Sequence, residues 1–336
     1  VSLRSIEDVR AADVPADEAN LLAWLGGPAL VRIAGRDRSR TRAVGALLHG
    51  NEPSGVRAVH ALLRDPEPPA VDILCFVGAV GAARAPPTFT HRALPGHRDL
   101  NRCFRAPFDG EEGALAREAL AAIARSHPES LVDLHNNTGH NPAYAIGLHA
   151  TPAHLALASL FAARFIHTTL RLGSLMEGFA ADIPAITVEC GRAGLPSADT
   201  FARERLARLV GLPVLPTASP PMQVFVDPVR VTLRRGATVA FDETPHAGCD
   251  LTLRGDVDRH NFGRLEAGTR IGWVARETPL PLEARGGSGD DVAAELFEVR
   301  GGALVAARSF VPVMMTTNPD VAAADCLFYV VREDAR

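Results

Sequence analysis

Between residues 29 and 210 the chain alternates short apolar runs with segments of helical period. That alternation restricts it to a mainly parallel sheet covered by helices on both faces. Residues 29–33, 43–48, 71–77, 130–134 and 185–188 are runs of the buried-strand type. Pro53 and Ser54 open a helix through 56–63, and 111–125 is an alanine-rich helix; 151–164 and 197–210 also read as helices. Residues 81–98, rich in proline, arginine and histidine, are expected as a loop. The pattern changes near Leu212. LPVLPTASPP is followed by short runs such as VRVTL, ATVAF, RIGWV and ALVAA between glycine turns, with no further long helix and a flexible loop at 286–289. The 336 residues therefore divide into an α/β domain over 1–212, a mixed, mainly parallel sheet flanked by helices, and a smaller all-β domain over 213–336.

Composition narrows the function. A net charge of −4 gives no bulk attraction to nucleic acid, and no apolar run approaches the ~20 residues that span a bilayer. All 35 basic residues are arginine, which reads as codon bias, though each brings a planar fork suited to carboxylates. The five cysteines are odd in number and form no C-x-x-C pair. With an N-terminal stretch lacking the apolar core of a secretion signal, they predict a cytoplasmic protein.

Chemistry gathers where strands are expected to end, the edge at which α/β sheets bind ligands. In LLHGNEPSG, His49 and Glu52 are three residues apart at a strand-to-helix junction, so their side chains can converge. In LVDLHNNTG, His135 ends another strand and completes a His-Glu-His set of the kind that binds zinc with a position left for water. Asp133, two residues earlier, points the same way and can orient a ligand histidine. In DLNRCF, Asn101 and Arg102 can bind a carboxylate together. In AITVECGRAG, Glu189 ends a β-forming run and can serve as general base on a water; Glu177, in GSLMEGF, is its rival. The polar cluster Asp256, Asp258, His260 and Asn261 reads as a turn between strands rather than a second metal site, and Cys103 and Cys190 read as small buried side chains.

H-x-x-E, D-L-N-R, D-L-H-N and a strand-borne E-x-G, in that order between about Val31 and Ala198, resemble the succinylglutamate desuccinylase/aspartoacylase family of the zinc carboxypeptidase-like superfamily. The resemblance implies one Zn2+ per chain at His49, Glu52 and His135, carboxylate binding by Asn101 and Arg102, and Glu189 as general base. It also implies an α/β domain with a C-terminal β domain. The family pattern has a further substrate arginine seven residues before the Asn of D-L-N-R. Leu94 stands there, and Arg92 or Arg98 are the nearby substitutes. A second guanidinium has only Arg164 and Arg171 as candidates, and a C-terminal tyrosine only Tyr144 and Tyr329.

The expected reaction is amide hydrolysis of a small N-acylated amino acid bearing a carboxylate. Glu189 takes a proton from a zinc-activated water and returns it to the leaving amine. The alternatives are a metallocarboxypeptidase acting on peptides or cell-wall fragments, and a non-catalytic binding protein on the same scaffold. G-x-S-x-G, H-E-x-x-H, G-x-x-x-x-G-K and G-x-G-x-x-G are all absent from the sequence. No nucleic-acid or membrane partner is expected, and a homo-oligomer is left open.

Overall fold

A computed structural model describes residues 2–7, 9–275 and 279–334. The chain forms two compact units. One comprises Val1–Asn136, Ala143–Phe165 and Arg171–Met222; the other comprises Asn137–Pro142, Ile166–Leu170 and Gln223–Arg336.

The first unit is built on strands β1 (Arg4–Ile6), β2 (Ala29–Ile33), β3 (Asp37–Ala46), β4 (Val71–Val77), β5 (Leu131–Asn137), β6 (Tyr144–Gly147), β7 (Arg164–His167) and β8 (Ala185–Arg192). Their order is β1-β2-β4-β3-β5-β8-β6-β7. β3 is parallel to β4 and to β5; β2 is antiparallel to β4, and β6 to β8. All seven residues of β4 and all seven of β5 are buried, as strands covered on both faces must be. Leu74 and Phe76 of β4 join Leu115, Ala116, Ala119 and Ile123 of helix α4 (Gly110–Arg125) in one core layer. Around the sheet stand α1 (Glu18–Leu25), α2 (Ser54–Arg64), α3 (Val80–Arg84), α5 (Pro152–Ser159) and α6 (Pro196–Gly211). The mixed α/β sheet flanked by helices is the fold the alternation predicts.

Local differences have local causes. The helix expected over 151–164 stops at Ser159, and Arg164–His167 is a strand. Thr151 caps its start by accepting from His154 N–H, but β-type Phe165 and Ile166 lie buried in the sheet instead of extending the helix. β5 runs two residues beyond His135, so that histidine lies inside the strand and not just past its end. Within the expected loop 81–98, Val80–Arg84 turns helical. α1 carries a readable signature that the apolar pattern alone does not show. Asp17 accepts from Asn20 N–H, and Gly26, at φ 74°, closes the helix in the left-handed conformation that glycine tolerates.

The second unit is mostly strand. β9 (Gln223–Leu233) pairs with β13 (Leu282–Arg285) and with β17 (Phe328–Glu333), which pairs with β16 (Val311–Val313). A five-stranded sheet holds β10 (Val239–Phe241), β11 (Leu251–Leu253), β12 (Arg270–Val274), β15 (Ala303–Ala306) and β14 (Phe297–Arg300), in that order. Among the described residues its helices are short, Ala293–Leu296 and Pro319–Ala324 besides a 3-10 turn at Val257–His260. Leu251, Ile271, Leu296, Phe297 and Phe328 centre its core. No helix of the described residues is long and apolar enough to cross a membrane.

Candidate metal centre

β3 and β5 lie side by side with Gly45 opposite Asp133 and Ala46 opposite Leu134. The chain leaves β3 through Leu47, whose φ of 54° is left-handed. Glu52 N–H then donates to His49 O, closing a turn just before α2. These steps bring His49 and Glu52 beside His135, which stands two residues before the end of β5. His49 Nδ1 is 2.8 Å from Glu52 Oε1, and His135 Nδ1 is 2.8 Å from Glu52 Oε2. The imidazole centroids are 5.0 Å apart, and one ligand atom from each of the three buried residues fits within 4.8 Å of the others.

The far nitrogen of each ring meets an acid. His49 Nε2 is 3.1 Å from Asp99 Oδ1, and His135 Nε2 is 2.8 Å from Asp133 Oδ2. Both rings therefore turn Nδ1 to the shared point and are held from behind by a carboxylate, the arrangement that fixes the tautomer and direction of metal-ligating histidines. Asp133 fits only because its β3 partner is glycine: a Cβ on Gly45 would stand 2.5 Å from Asp133 Oδ1.

Asn136 ties the motifs together. Its N–H donates to Glu52 Oε2 (3.1 Å), and its Oδ1 accepts from Ser54 N–H at the start of α2 (3.0 Å). Its Nδ2 donates to Ser54 Oγ and to Gly191 O on the strand that carries Glu189. Ser54 Oγ donates in turn to Asp199 in the first turn of α6 (2.6 Å), which Arg57 also grips (2.8 Å).

Glu189 lies on β8, buried, with Tyr144 of β6 directly opposite. Its Oε2 has no hydrogen-bond partner among the described residues. Burial pushes the Glu189 carboxyl up to about 7, against the attraction of His135. Glu52 behaves oppositely: burial would raise it, but the His49 and His135 imidazoles outweigh burial and hold it well below the usual carboxylate range. Burial would lower the His135 imidazole, yet Asp133 and Glu52 raise it well above its ordinary value.

The D-L-N-R segment is a 3-10 turn, Leu100–Arg102, capped by Asp99. Asn101 Oδ1 accepts from Leu175 N–H (3.1 Å), and its Nδ2 lies 3.4 Å from His135 Nε2. Arg102 Nη1 donates to the Asn101 carbonyl. Arg92 donates to Asp99 Oδ2 through Nε (3.0 Å), with Nη2 also 2.9 Å from that oxygen, and its Nη1 stands 3.6 Å from Glu52 Oε1. Asp99 is held well below the usual range, His49, Arg92 and Arg102 outweighing its burial. Four carboxylates, Glu52, Asp99, Asp133 and Glu189, thus gather with two guanidiniums, Arg92 and Arg102. Two buried imidazoles that share a buried carboxylate are a donor set that fits a divalent ion.

The structure thus brings His49, Glu52, His135, Asp133, Asn101 and Arg92 together, with Glu189 on the strand beside β5. Arg98 instead donates to Asp109 O, and Arg171 offers its carbonyl to Arg105. Glu177 Oε1 accepts from the N–H groups of Leu172, Gly173 and Ser174, fastening its own loop. In the second unit, Asp256 pairs with Arg254, and Asn261 bonds the Met315 backbone in both directions. Among the described residues these do not form a second metal cluster. Sequence reasoning assigned no role to Asp99 or Asn136. Both stand in the D-L-N-R and D-L-H-N motifs, so their proximity was legible but their direction was not.

A model of the succinylglutamate desuccinylase/aspartoacylase catalytic domain matches residues 39–210. A search of the curated proteins finds no match. Among solved structures, a succinylglutamate desuccinylase from Chromobacterium violaceum is similar at 18% identity and a TM-score of 0.59, covering 91% of this chain and 89% of that one. Murine aminoacylase 3 is similar at 20% identity and a TM-score of 0.53, covering 89% and 97%. The ectoine utilization protein EutE (DoeB) from Ruegeria pomeroyi follows at 12% identity and 0.55, covering 90% and 87%. At these identities the structural likeness speaks for the fold alone. The family model, spanning half of the chain and all four motifs, goes further: the chain belongs to the succinylglutamate desuccinylase/aspartoacylase family.

Proposed function

We propose that the chain hydrolyses the amide bond of a small N-acylated amino acid, with one zinc ion held by His49, Glu52 and His135 and with Glu189 as general base. The observation that carries this reading is the pairing of two carboxylate-backed imidazoles on Glu52 with a buried Glu189 whose Oε2 bonds to nothing described. Zinc, when bound, supplies Lewis acidity and brings the pKa of water from ~16 towards ~7. Glu189 Oε2 accepts the proton of the attacking water and returns it to the departing amine nitrogen. Asn101 Nδ2 and Arg102 hold the substrate carboxylate, their positions set by Leu175 N–H and the Asn101 carbonyl. Arg92, fixed by Asp99, stands on the other side of Glu52 and faces the acyl carbonyl. Asp99 and Asp133 act through the histidines they hold and are positioning residues.

The names of two structural neighbours, a desuccinylase and an aminoacylase, agree with deacylation. In this reading residues 1–212 are the hydrolase domain and 213–336 a β domain beside it in sequence. The five free thiols suit a reducing cytoplasm.

The test is a hydrolysis screen of N-acetyl, N-succinyl and N-formyl amino acids against short peptides, with zinc present. Acyl amino acids are expected to be cleaved. Glu189→Gln should retain zinc and lose ~10²–10⁴ in turnover. His49→Ala or His135→Ala should lower bound zinc per chain. Cleavage of peptides alone would make the chain a carboxypeptidase, and wild-type turnover in Glu189→Gln would remove that residue from the chemistry.

A further inference from the structure

On the Arg92 side of the metal centre the first unit has a half-open cavity of about 280 Å³, close to the lower bound of roughly 300 Å³ for ligand pockets. Leu48, Ala82, Leu94, Leu100 and Leu115 make its wall apolar. Its lining also carries Arg92, Arg98, Glu111 and the pair in which His97 Nδ1 meets Glu112 Oε1 at 2.6 Å. Two of the lining glycines leave space, whereas Gly78 packs against Leu48 and Leu100. A Cβ at Gly27 meets no atom within 4 Å, and one at Gly81 meets only Leu94 Cδ1, at 3.8 Å.

This cavity shares its walls with the site. Leu48 precedes His49 in the chain, Leu100 precedes Asn101, and Arg92 both lines the cavity and approaches Glu52. Asn101 and Arg92 both bond to Asp99, Asn101 through its N–H to Oδ1 (2.9 Å) and Arg92 to Oδ2, and it is Arg92 that joins the cavity to the cluster, lining the one and standing 3.6 Å from Glu52 Oε1 of the other. A substrate whose acyl carbonyl lies at Arg92 therefore has the cavity beside its acyl end.

We propose that this cavity is the acyl pocket and that it takes an unbranched apolar acyl chain of several carbons. The inference rests on the deacylase reading above. It is tested on the zinc-loaded full chain with the N-acetyl, N-butanoyl and N-hexanoyl forms of one amino acid, alongside N-acetyl glycine, leucine and phenylalanine. Each fully buried methylene is worth about fourfold in kcat/KM, so hexanoyl should exceed acetyl by roughly 10- to 100-fold. Gly81→Leu and Gly27→Leu, on separate segments, fill the cavity and should each bring that ratio towards one.

A flat chain-length profile in the wild type overturns the inference whether or not either variant folds. So does an unchanged ratio in two folded, zinc-containing variants. An effect of the variants that follows the amino-acid side chain instead of the acyl chain overturns it too, because the occupant is then the other end of the substrate. In all three cases acetyl substrates are still cleaved and the deacylase reading stands. If no acyl amino acid is cleaved, both fall together.

Discussion

Gly45 carries no reactive atom, yet the acid behind His135 depends on it. A methyl there would stand 2.5 Å from Asp133 Oδ1 and 2.7 Å from Leu175 Cδ2, so one of these buried groups must move. Gly45→Ala is expected to cost about 1–3 kcal/mol through overpacking. It should also cost roughly 10- to 100-fold in zinc affinity by disturbing the carboxylate that orients His135; denaturant titration and metal-competition titration read the two effects separately. Glu189 offers a second measurement. Its carboxyl is raised to about 7 in the folded chain by burial, above its ordinary value of 4.5. An acid raised on folding gives up its proton more readily when unfolded, so its contribution to stability is complete below pH 4.5 and is lost as pH rises through about 7. In zinc-free protein, Glu189→Gln should therefore gain stability relative to wild type between pH 5 and 8, by a few kcal/mol at most. Equal unfolding midpoints across that range would show that Glu189 is not held raised. His49, Glu52, His135 and Glu189 were legible because their types and spacing are chemical statements in themselves. Asp99 was not: a carboxylate beside Asn101 and Arg102 says nothing about which way it faces until the 3-10 turn directs it onto His49.

Among the elements, β3 and α6 are joined by one buried charge. Arg42 is fully buried; its Nε donates to Glu129 Oε1 (2.6 Å), and its Nη1 donates to Leu209 O and Leu212 O at the end of α6. Leu209 O also accepts from Leu212 N–H at the C-cap, and both carbonyls lie next to the negative pole of the helix dipole. Arg42→Ala should destabilise the chain by ~3 kcal/mol, the low end for a broken buried pair because Glu129 keeps some access to water. An unfolding free energy within 0.5 kcal/mol of wild type, the ordinary scatter of surface changes, would contradict this account. Elements with a strong period were legible: β4 and α4 follow their apolar patterns closely. The 151–164 segment was not, because alanine and leucine suit a helix while sheet burial decides the fate of Phe165 and Ile166.

At the scale of the whole chain, the change of style near Leu212 signals a second body, and the compact unit rich in strands resumes at Gln223. What the sequence hides is that this unit also takes in Asn137–Pro142 and Ile166–Leu170. The reason is non-local: Asp258 Oδ2 accepts from His140 N–H (3.0 Å), Asn261 Nδ2 donates to His140 O (3.2 Å), and Asn141 Oδ1 accepts from Met314 N–H (3.1 Å). The polar cluster of residues 256–261 is thus put to use as a clasp. One last feature bears on how such a molecule changes over time. The groups assigned to hydrolysis sit on β5 and β8 or just past the exit of β3, whereas Leu94, His97 and Arg98 of the cavity lie on the connection between Arg84 and Leu100. If the proposed deacylase and acyl-pocket readings hold, mutations in that connection alter what is admitted without disturbing how it is cleaved, provided Arg92 and Asp99 are kept. On those readings the chain is a natural starting point for directed evolution, with diversity confined to one connection and the proposed chemistry left in place.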